Sequence, residues 1–176
     1  MMCCAPPASW SKHTKKYVIY TGCLLAYADI KNEDGVIMNN AEDFVGKLFD
    51  GQNLSFIGSV DENGFPHIRA MLRPRKREGI KTIWFSTNTP TNKVRHFLAN
   101  NKACVYFCDP AAFQGALLIG TMEVLETPEY KEMLWQTGDE MYYPKGVTDP
   151  DYCVLRFTAV SGRRYGNFQS DDFDVV

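Results

Sequence analysis

The sequence lacks most of the patterns that mark metal sites and membrane spans. Its six cysteines form no C-x-x-C pair and no metal-ligand spacing with the three histidines, so no zinc or other metal site is expected. No apolar run reaches the ~20 residues that a membrane-spanning helix needs. The formal net charge of -2 gives no reason to expect nucleic acid as a partner. These absences favour a cytoplasmic protein in a reducing compartment, without membrane contact.

Motifs of catalysis by side chains are also missing. The sequence has no G-x-S-x-G elbow, no H-E-x-x-H pair and no Walker-type glycine loop, so no residue is predicted to be a catalytic acid, base or nucleophile. The chain does have apolar content, because 45% of its 176 residues are hydrophobic and 13% are aromatic. That composition suits one globular domain with a sizeable core.

The most informative stretch begins with a predicted β-hairpin, residues 54–60 and 65–73, joined by a turn at residues 61–64. Side chains alternate between the two faces of a strand. In the second strand, the face expected to enter the core carries Ile68, Ala70 and Leu72. The opposite face, expected to meet an anion or water, carries His67, Arg69, Met71 and Arg73. His67 is interpreted either as a proton donor near a substrate or as a partly exposed hairpin residue.

A second predicted strand, residues 81–87, leads through a polar segment into a predicted helix. Thr91 is the expected N-cap of this helix. Its apolar face is predicted from the spacing of Val94, Phe97 and Leu98.

Lys93 would then lie in the first helical turn, where a cation opposes the helix dipole unless an anion is bound there. Free backbone N–H groups at this helix start, together with the hydroxyls of Thr87 and Thr91, suit a phosphate group. Arg69 could add a two-pronged contact from the hairpin. The sequence therefore predicts a phosphate site between the hairpin and the helix.

The order of these segments resembles the FMN-binding split barrel of the pyridoxamine 5'-phosphate oxidase-like superfamily, in particular its small general-stress-protein branch. The matching segments are SFIGSVDENGFPHIRAM, WFSTNTPTNK, NNKACVYF and LLIGTMEVLE. The resemblance implies a mainly β fold with flanking helices, in which a six- to seven-stranded antiparallel split β-barrel occupies residues 39–176. Residues 1–38 would form an N-terminal extension.

In that family an Arg of the second strand and a Lys after the Ser/Thr-rich turn hold the flavin phosphate. These residues correspond to Arg69 and Lys93. The residue that opens the strand at 114–126 often touches the flavin ring, and it corresponds to either Gln114 or Gly115. The flavin-binding residues implied by the resemblance are Arg69, Ala70, Met71, Leu72, Arg73, Ser86, Thr87, Thr91, Asn92, Lys93, Gln114 and Gly115.

The resemblance further implies FMN as the cofactor, an FMN-dependent oxidoreductase reaction on a small molecule, and a homodimer with the flavin at its interface. The sequence departs from the authentic oxidases of the family, because residues 163–168 do not reproduce their basic, tryptophan-containing motif. Arg73 only partly replaces one of their lysines, and neutral Asn92 replaces a cation. Oxidation of pyridoxamine phosphate is therefore not expected. The alternatives are a stress-response module that binds FMN without turnover, and a split-barrel relative that uses haem or the deazaflavin F420.

The remaining segments give weaker signals. Residues 15–28 imitate a secretory signal, although an extra strand or a loosely attached arm is favoured. The basic run at residues 73–77 is expected to be a solvated hairpin tip, with nuclear localisation or phosphate binding as the alternative. Tyr142 and Tyr143 either stack near a cofactor ring or close the core.

The C-terminal part is predicted to supply the closing strands, residues 152–159 and 163–169. A turn is expected between them at Ser161-Gly162. The acidic tail, residues 171–174, is expected to be solvated.

Overall fold

The structure, a computed structural model, describes residues 41–176. The interpretations of residues 1–38 as an extension, a signal-like stretch or an arm lie outside the described residues.

The described residues form one antiparallel sheet of eight strands. The strands are β1 (Leu54–Val60), β2 (Pro66–Leu72), β3 (Lys76–Glu78), β4 (Thr82–Asn88), β5 (Lys102–Asp109), β6 (Gln114–Leu125), β7 (Tyr152–Gly166) and β8 (Gln169–Asp174). Their order in the sheet is β2-β1-β5-β6-β7-β4-β3, and β8 pairs with β7. Because β2 and β3 are edge strands, the sheet is open. The expectation of a mainly β fold with flanking helices is confirmed, with eight strands where six or seven were expected.

Three helices pack against this sheet: α1 (Ala41–Gly51), α2 (Asn92–Ala99) and α3 (Pro128–Leu134). Helix α1 lies against β5 and β6, α2 against β1 and β6, and α3 against β7 and β4. The fully buried side chains at the centre are Ile57, Phe85, Phe107, Leu118 and Phe157. Burial of such side chains stabilises the fold by about 1.5–3 kcal/mol each.

The expected orientation of β2 is wrong within the single chain. Ile68 is 73% exposed and Leu72 is 69% exposed, so this apolar face does not enter the core. The reason is the pairing register, in which Arg69 lies opposite Ile57 of β1. Residues paired across two strands share a face, and Ile57 is fully buried. Arg69 therefore points to the interior side.

The expected turn at Ser161-Gly162 is also wrong. Strand β7 runs through both residues, and Gly162 pairs with Phe173 of β8. A side chain at position 162 would collide with the Phe173 ring, so close packing requires glycine here. The chain reverses instead at Asn167 and Phe168, which have positive φ angles of 51° and 60°.

The acidic tail is a strand and is not simply solvated. It pairs with β7 as β8. Asp171 lies 3.0 Å from the Arg164 guanidinium, and Asp172 lies 2.9 Å from that of Arg163. The acidic residues of the tail are thus paired with basic residues of the neighbouring strand β7.

The basic run is likewise more ordered than expected. Part of it forms β3, which pairs with β4. Arg75 forms a 2.7 Å ion pair with buried Asp139, and Arg77 forms a 2.8 Å ion pair with Asp50. These contacts account for two cations of the run without a nucleic-acid or targeting role.

Candidate functional site

Two cations from different elements meet beside helix α2. Arg69 comes from edge strand β2, and Lys93 is the second residue of α2. Both are partly buried, and neither forms an ion pair with a carboxylate of residues 41–176. The Nη1 atom of Arg69 is buried and has no hydrogen-bond partner among these residues. A buried donor of this kind is costly unless something accepts its hydrogen bond.

The surroundings of Arg69 and Lys93 disfavour their charged forms. Burial lowers the pKa of Lys93, and the neighbouring Arg69 charge lowers it further, while Cys153 has a smaller opposite effect. Burial also lowers the pKa of Arg69. An anion between the two groups would relieve both effects, because an opposite charge stabilises the protonated forms.

The start of α2 adds further donors to this position. Thr91 is the N-cap, as expected, but its side chain makes no capping hydrogen bond. Its hydroxyl instead donates to the Asn88 carbonyl at 2.9 Å and accepts from Lys93 Nζ at 3.1 Å. The first backbone N–H groups of the helix are therefore not capped by Thr91, and such groups attract anions. We call Arg69, Thr91 and Lys93 the cationic site.

Sequence reasoning missed two buried residues behind this site, Ser59 and His96. Arg69 Nη2 donates to Ser59 Oγ at 2.7 Å, and Ser59 Oγ lies 3.0 Å from His96 Nδ1. The His96 ring lies 4.8 Å from the ring of His67, whose Nε2 is 3.0 Å from Asp61. The available signal was the three-residue spacing of Lys93 and His96, which places both on one side of a helix.

The predicted apolar face of α2 is corrected accordingly. Val94 and Phe97 are buried as expected, but Leu98 is 70% exposed. His96 takes the inward position because a hydrogen bond between Ser59 Oγ and His96 Nδ1 satisfies this buried ring nitrogen.

A cavity of about 290 Å³ extends from the residue after Arg69. The strand residues that line it are Ala70, Met71, Leu72, Phe85, Ser86, Thr87 and Asn88, and Arg73 and Arg75 line it after the end of β2. Since β2 is an edge strand, the backbone N–H and C=O groups along one of its sides do not pair with another strand of residues 41–176. The cavity therefore combines apolar side chains with backbone donors and acceptors, as ligand cavities commonly do. Six of the residues predicted to bind flavin line it.

The far wall of the cavity comes from the loop before β7. Asp139 is fixed there by Arg75 and by the backbone N–H of Gln136 at 2.9 Å. Tyr143 is buried and donates to Asn88 Oδ1 at 2.9 Å. Tyr142 also lines the cavity but is 64% exposed. Tyr143 therefore closes the core, as one of the two interpretations expected. Tyr142 does not, and its contact with a cofactor ring stays a prediction.

The remaining predicted site residues lie apart from the cavity lining. Gln114 and Gly115 open β6, where a side chain at position 115 would collide with Tyr106 and Tyr165. Asn92 is exposed at the first position of α2. The structure of the single chain does not bring Gln114 or Gly115 into the cavity.

Another cavity, of about 430 Å³, lies at the start of α1 and the C-terminus. Three of its lining residues are Glu42, Glu78 and Asp174. Their negative charge opposes that of a phosphate, so the cationic site remains the better candidate.

The open antiparallel sheet with three packed helices defines a split-barrel protein. The family model described as Pyridoxamine 5'-phosphate oxidase matches residues 41–165, and the chain belongs to this family. One similar solved structure is a Clostridium acetobutylicum protein described as related to general stress protein 26 of B. subtilis (pyridoxinephosphate oxidase family). The two sequences are 41% identical, with 76% of this chain and 94% of that chain covered and a TM-score of 0.70. The predicted family, branch and fold are thereby confirmed.

More distant structures share the fold alone. General Stress Protein 26 from Bacillus anthracis has 14% identity and a TM-score of 0.62, covering 76% of this chain and 98% of that one. A heme binding protein from Mycobacterium smegmatis has 15% identity and a TM-score of 0.64, covering 79% and 60%. A comparison with curated proteins gives no match. Among residues 41–176, no helix has the length and apolar character needed to cross a membrane.

The buried His96 makes the stability of the fold pH-dependent. Burial is the main cause of its lowered pKa, and the charges of His67, Arg69 and Arg95 act in the same direction, while Asp61 opposes them. The imidazole is therefore neutral in the folded chain at neutral pH.

We expect the melting temperature to fall as the pH drops below the ordinary histidine pKa of 6.5. Below that pH the unfolded chain binds more protons than the folded chain, whose His96 has a lower pKa, so acid favours unfolding. The stability gained by keeping His96 neutral is complete above the unfolded pKa and is lost as the pH falls toward the folded pKa. Thermal melts at a series of pH values measure this, and the slope should flatten in His96→Asn. An equal slope in both proteins would contradict the assignment.

Proposed function

We propose that this chain is an FMN-dependent oxidoreductase that acts on a small molecule. The observation that carries the proposal is the cationic site. Its two partly buried cations form no ion pair with a carboxylate of residues 41–176, and Nη1 of Arg69 has no hydrogen-bond acceptor among them. A terminal phosphate dianion provides the missing charge and acceptors, and paired contacts with Arg suit it well. Family membership supports FMN as the molecule that carries this phosphate.

In this proposal Arg69, Lys93 and Thr91 hold the phosphate. The remainder of the flavin lies along the cavity, against residues 70–73 and the polar side chains of Ser86 and Thr87. Bound FMN would supply hydride and electron transfer, while the chain supplies position and restricts access. Tyr142 stands at the cavity as a contact for the ring or for a substrate.

The proposed assembly is a homodimer with the flavin at its interface. The exposed apolar face of β2 supports it, since an uncovered apolar edge strand invites association. Gln114 and Gly115 also support it, because they lie outside the cavity of their own chain and need a second copy to approach a flavin. We propose the cytoplasm as the compartment, since Cys104, Cys108 and Cys153 are free thiols.

The visible spectrum of protein purified without added cofactor tests the proposal, followed by mass analysis of the molecule released by heat. We expect a flavin spectrum and the mass of FMN. A haem or deazaflavin spectrum would contradict FMN, and a colourless protein that does not bind added FMN would contradict flavin binding altogether. Bound flavin that cannot be reoxidised after reduction by any pyridine nucleotide or dye would identify a binding module without turnover.

A further inference from the structure

A buried hydrogen-bond chain links the cationic site to the protein interior. It runs from the Arg69 guanidinium to the Ser59 hydroxyl at 2.7 Å and from there to His96 Nδ1 at 3.0 Å. We propose that Ser59 and His96 are positioning residues that orient Arg69 toward the phosphate and so determine the preference for a phosphorylated flavin. This inference rests on the proposed function.

One arrangement of the hydrogen bonds uses the donors and acceptors of all three groups. Arginine has donors and no acceptor, so Ser59 Oγ accepts from Arg69. Ser59 then donates its proton to His96 Nδ1 in the tautomer whose ring proton is on Nε2. His96 is neutral at neutral pH, because burial lowers its pKa, and it can accept this proton. Each group in the chain therefore has one role, which leaves the guanidinium little freedom to rotate about its long side chain.

The geometry divides the two ends of the guanidinium between two tasks. Nη2 is occupied by Ser59 Oγ and by the His67 carbonyl at 3.3 Å. Nη1 is buried and has no partner among the described residues. The anchoring of Nη2 thus fixes Nη1 as the donor that remains for a ligand. A donor held in place before binding loses less conformational entropy when the ligand arrives.

The anchor is built into rigid elements. Ser59 is 2% exposed in β1, and His96 is 3% exposed in α2. His96 and Lys93 are three residues apart on the same helix, so α2 fixes one cation directly and the other through Ser59. The separation of the two cations is therefore set by how α2 packs on β1.

The experiment compares binding of FMN and riboflavin, which lacks the phosphate, by flavin fluorescence titration. The variants are Ser59→Ala, His96→Leu and His96→Asn, whose amide provides an acceptor near the position of Nδ1. Ser55→Ala is the matched control, because Ser55 is a buried serine of the same strand whose hydroxyl has no partner among the described residues. A general structural defect would weaken both ligands, whereas a positioning role affects the ratio of the two dissociation constants.

We expect Ser59→Ala and His96→Leu to weaken FMN binding by about 5- to 10-fold, less than the loss of Arg69 itself, because the Arg69 donor remains but its orientation is no longer fixed. Riboflavin binding should stay within about twofold, His96→Asn should recover most of the FMN affinity, and Ser55→Ala should behave as wild type. An unchanged ratio in Ser59→Ala, or equal loss of both ligands, would overturn the inference while leaving FMN binding by Arg69 and Lys93 intact. Failure of the wild-type protein to bind FMN would overturn the proposed function and this inference together.

Discussion

Alanine at position 69 or 93 is expected to weaken FMN binding by about 1.5 to 3 kcal/mol, the usual value of a hydrogen bond to a charged group. This corresponds to a roughly 10- to 150-fold higher dissociation constant. Each change removes one of the two cations that we propose hold the phosphate, in a site where burial already lowers the pKa of both groups. Fluorescence titration or calorimetry with FMN measures the loss.

Arg95→Ala is the matched control, because Arg95 is an exposed cation of the same helix as Lys93. Its removal should change FMN affinity little, since charges exposed to water are strongly screened. The two site variants should also be less than additive when combined, because both act on one phosphate. Wild-type affinity for FMN in both single variants would show that the cationic site does not bind the flavin phosphate.

A glutamate at position 68 is expected to convert the proposed dimer into a monomer. Ile68 and Leu72 project from edge strand β2, and Leu54 of β1 lies opposite Leu72 on the same face. A carboxylate at position 68 would be buried without a partner when this face is covered, which costs roughly 3 to 5 kcal/mol. In a symmetric dimer the change occurs twice.

Sedimentation velocity should therefore give twice the chain mass of 20.0 kDa for the wild type and the single chain mass for Ile68→Glu. Leu98→Glu serves as the control, because Leu98 is similarly exposed but belongs to α2. The Ile68→Glu monomer should also bind FMN more weakly if the partner copy contributes to the flavin site. A wild-type protein that is monomeric at micromolar concentration would refute the dimer.

Local sequence signals were sufficient for most elements and for the cationic site. The capping residue Thr91 begins α2 as expected. The pairing of β6 with β7 shifts register next to Gly120, and an isolated glycine within a strand pattern indicates such a bulge. The positions of Arg69, Thr91 and Lys93 were predictable because the turn of the hairpin and the N-cap of the helix are both marked in the sequence. That they bind FMN stays a prediction.

The face of β2 could not be predicted from alternation alone. Alternation separates Ile68 from Arg69 but does not say whether the apolar side meets the core of its own chain or another molecule. That choice depends on the buried Ile57 across the strand pair. His96 was missed for a similar reason, since its burial depends on Ser59, a partner 37 residues away.

The closing turn was misplaced because Ser-Gly is a common turn sequence. At Gly162 the glycine serves close contact with Phe173 of the neighbouring strand. The actual reversal uses Asn167 and Phe168 in a conformation that few non-glycine residues adopt. The pairing of β7 with β8 requires a reversal at these two residues, and that pairing is not visible in the local sequence.

The two sides of the 290 Å³ cavity differ in how well they tolerate substitutions. Its inner side belongs to the sheet, where substitutions disturb packing. Its outer side is a surface loop fastened by the ion pair between Arg75 and Asp139. Tyr142 is 64% exposed on that loop, with its ring 6.5 Å from the ring of Tyr143. Under the proposed function, substitutions at position 142 would therefore change the outer wall of the cavity and the substrates it admits, while Arg69 and Lys93 stay in place.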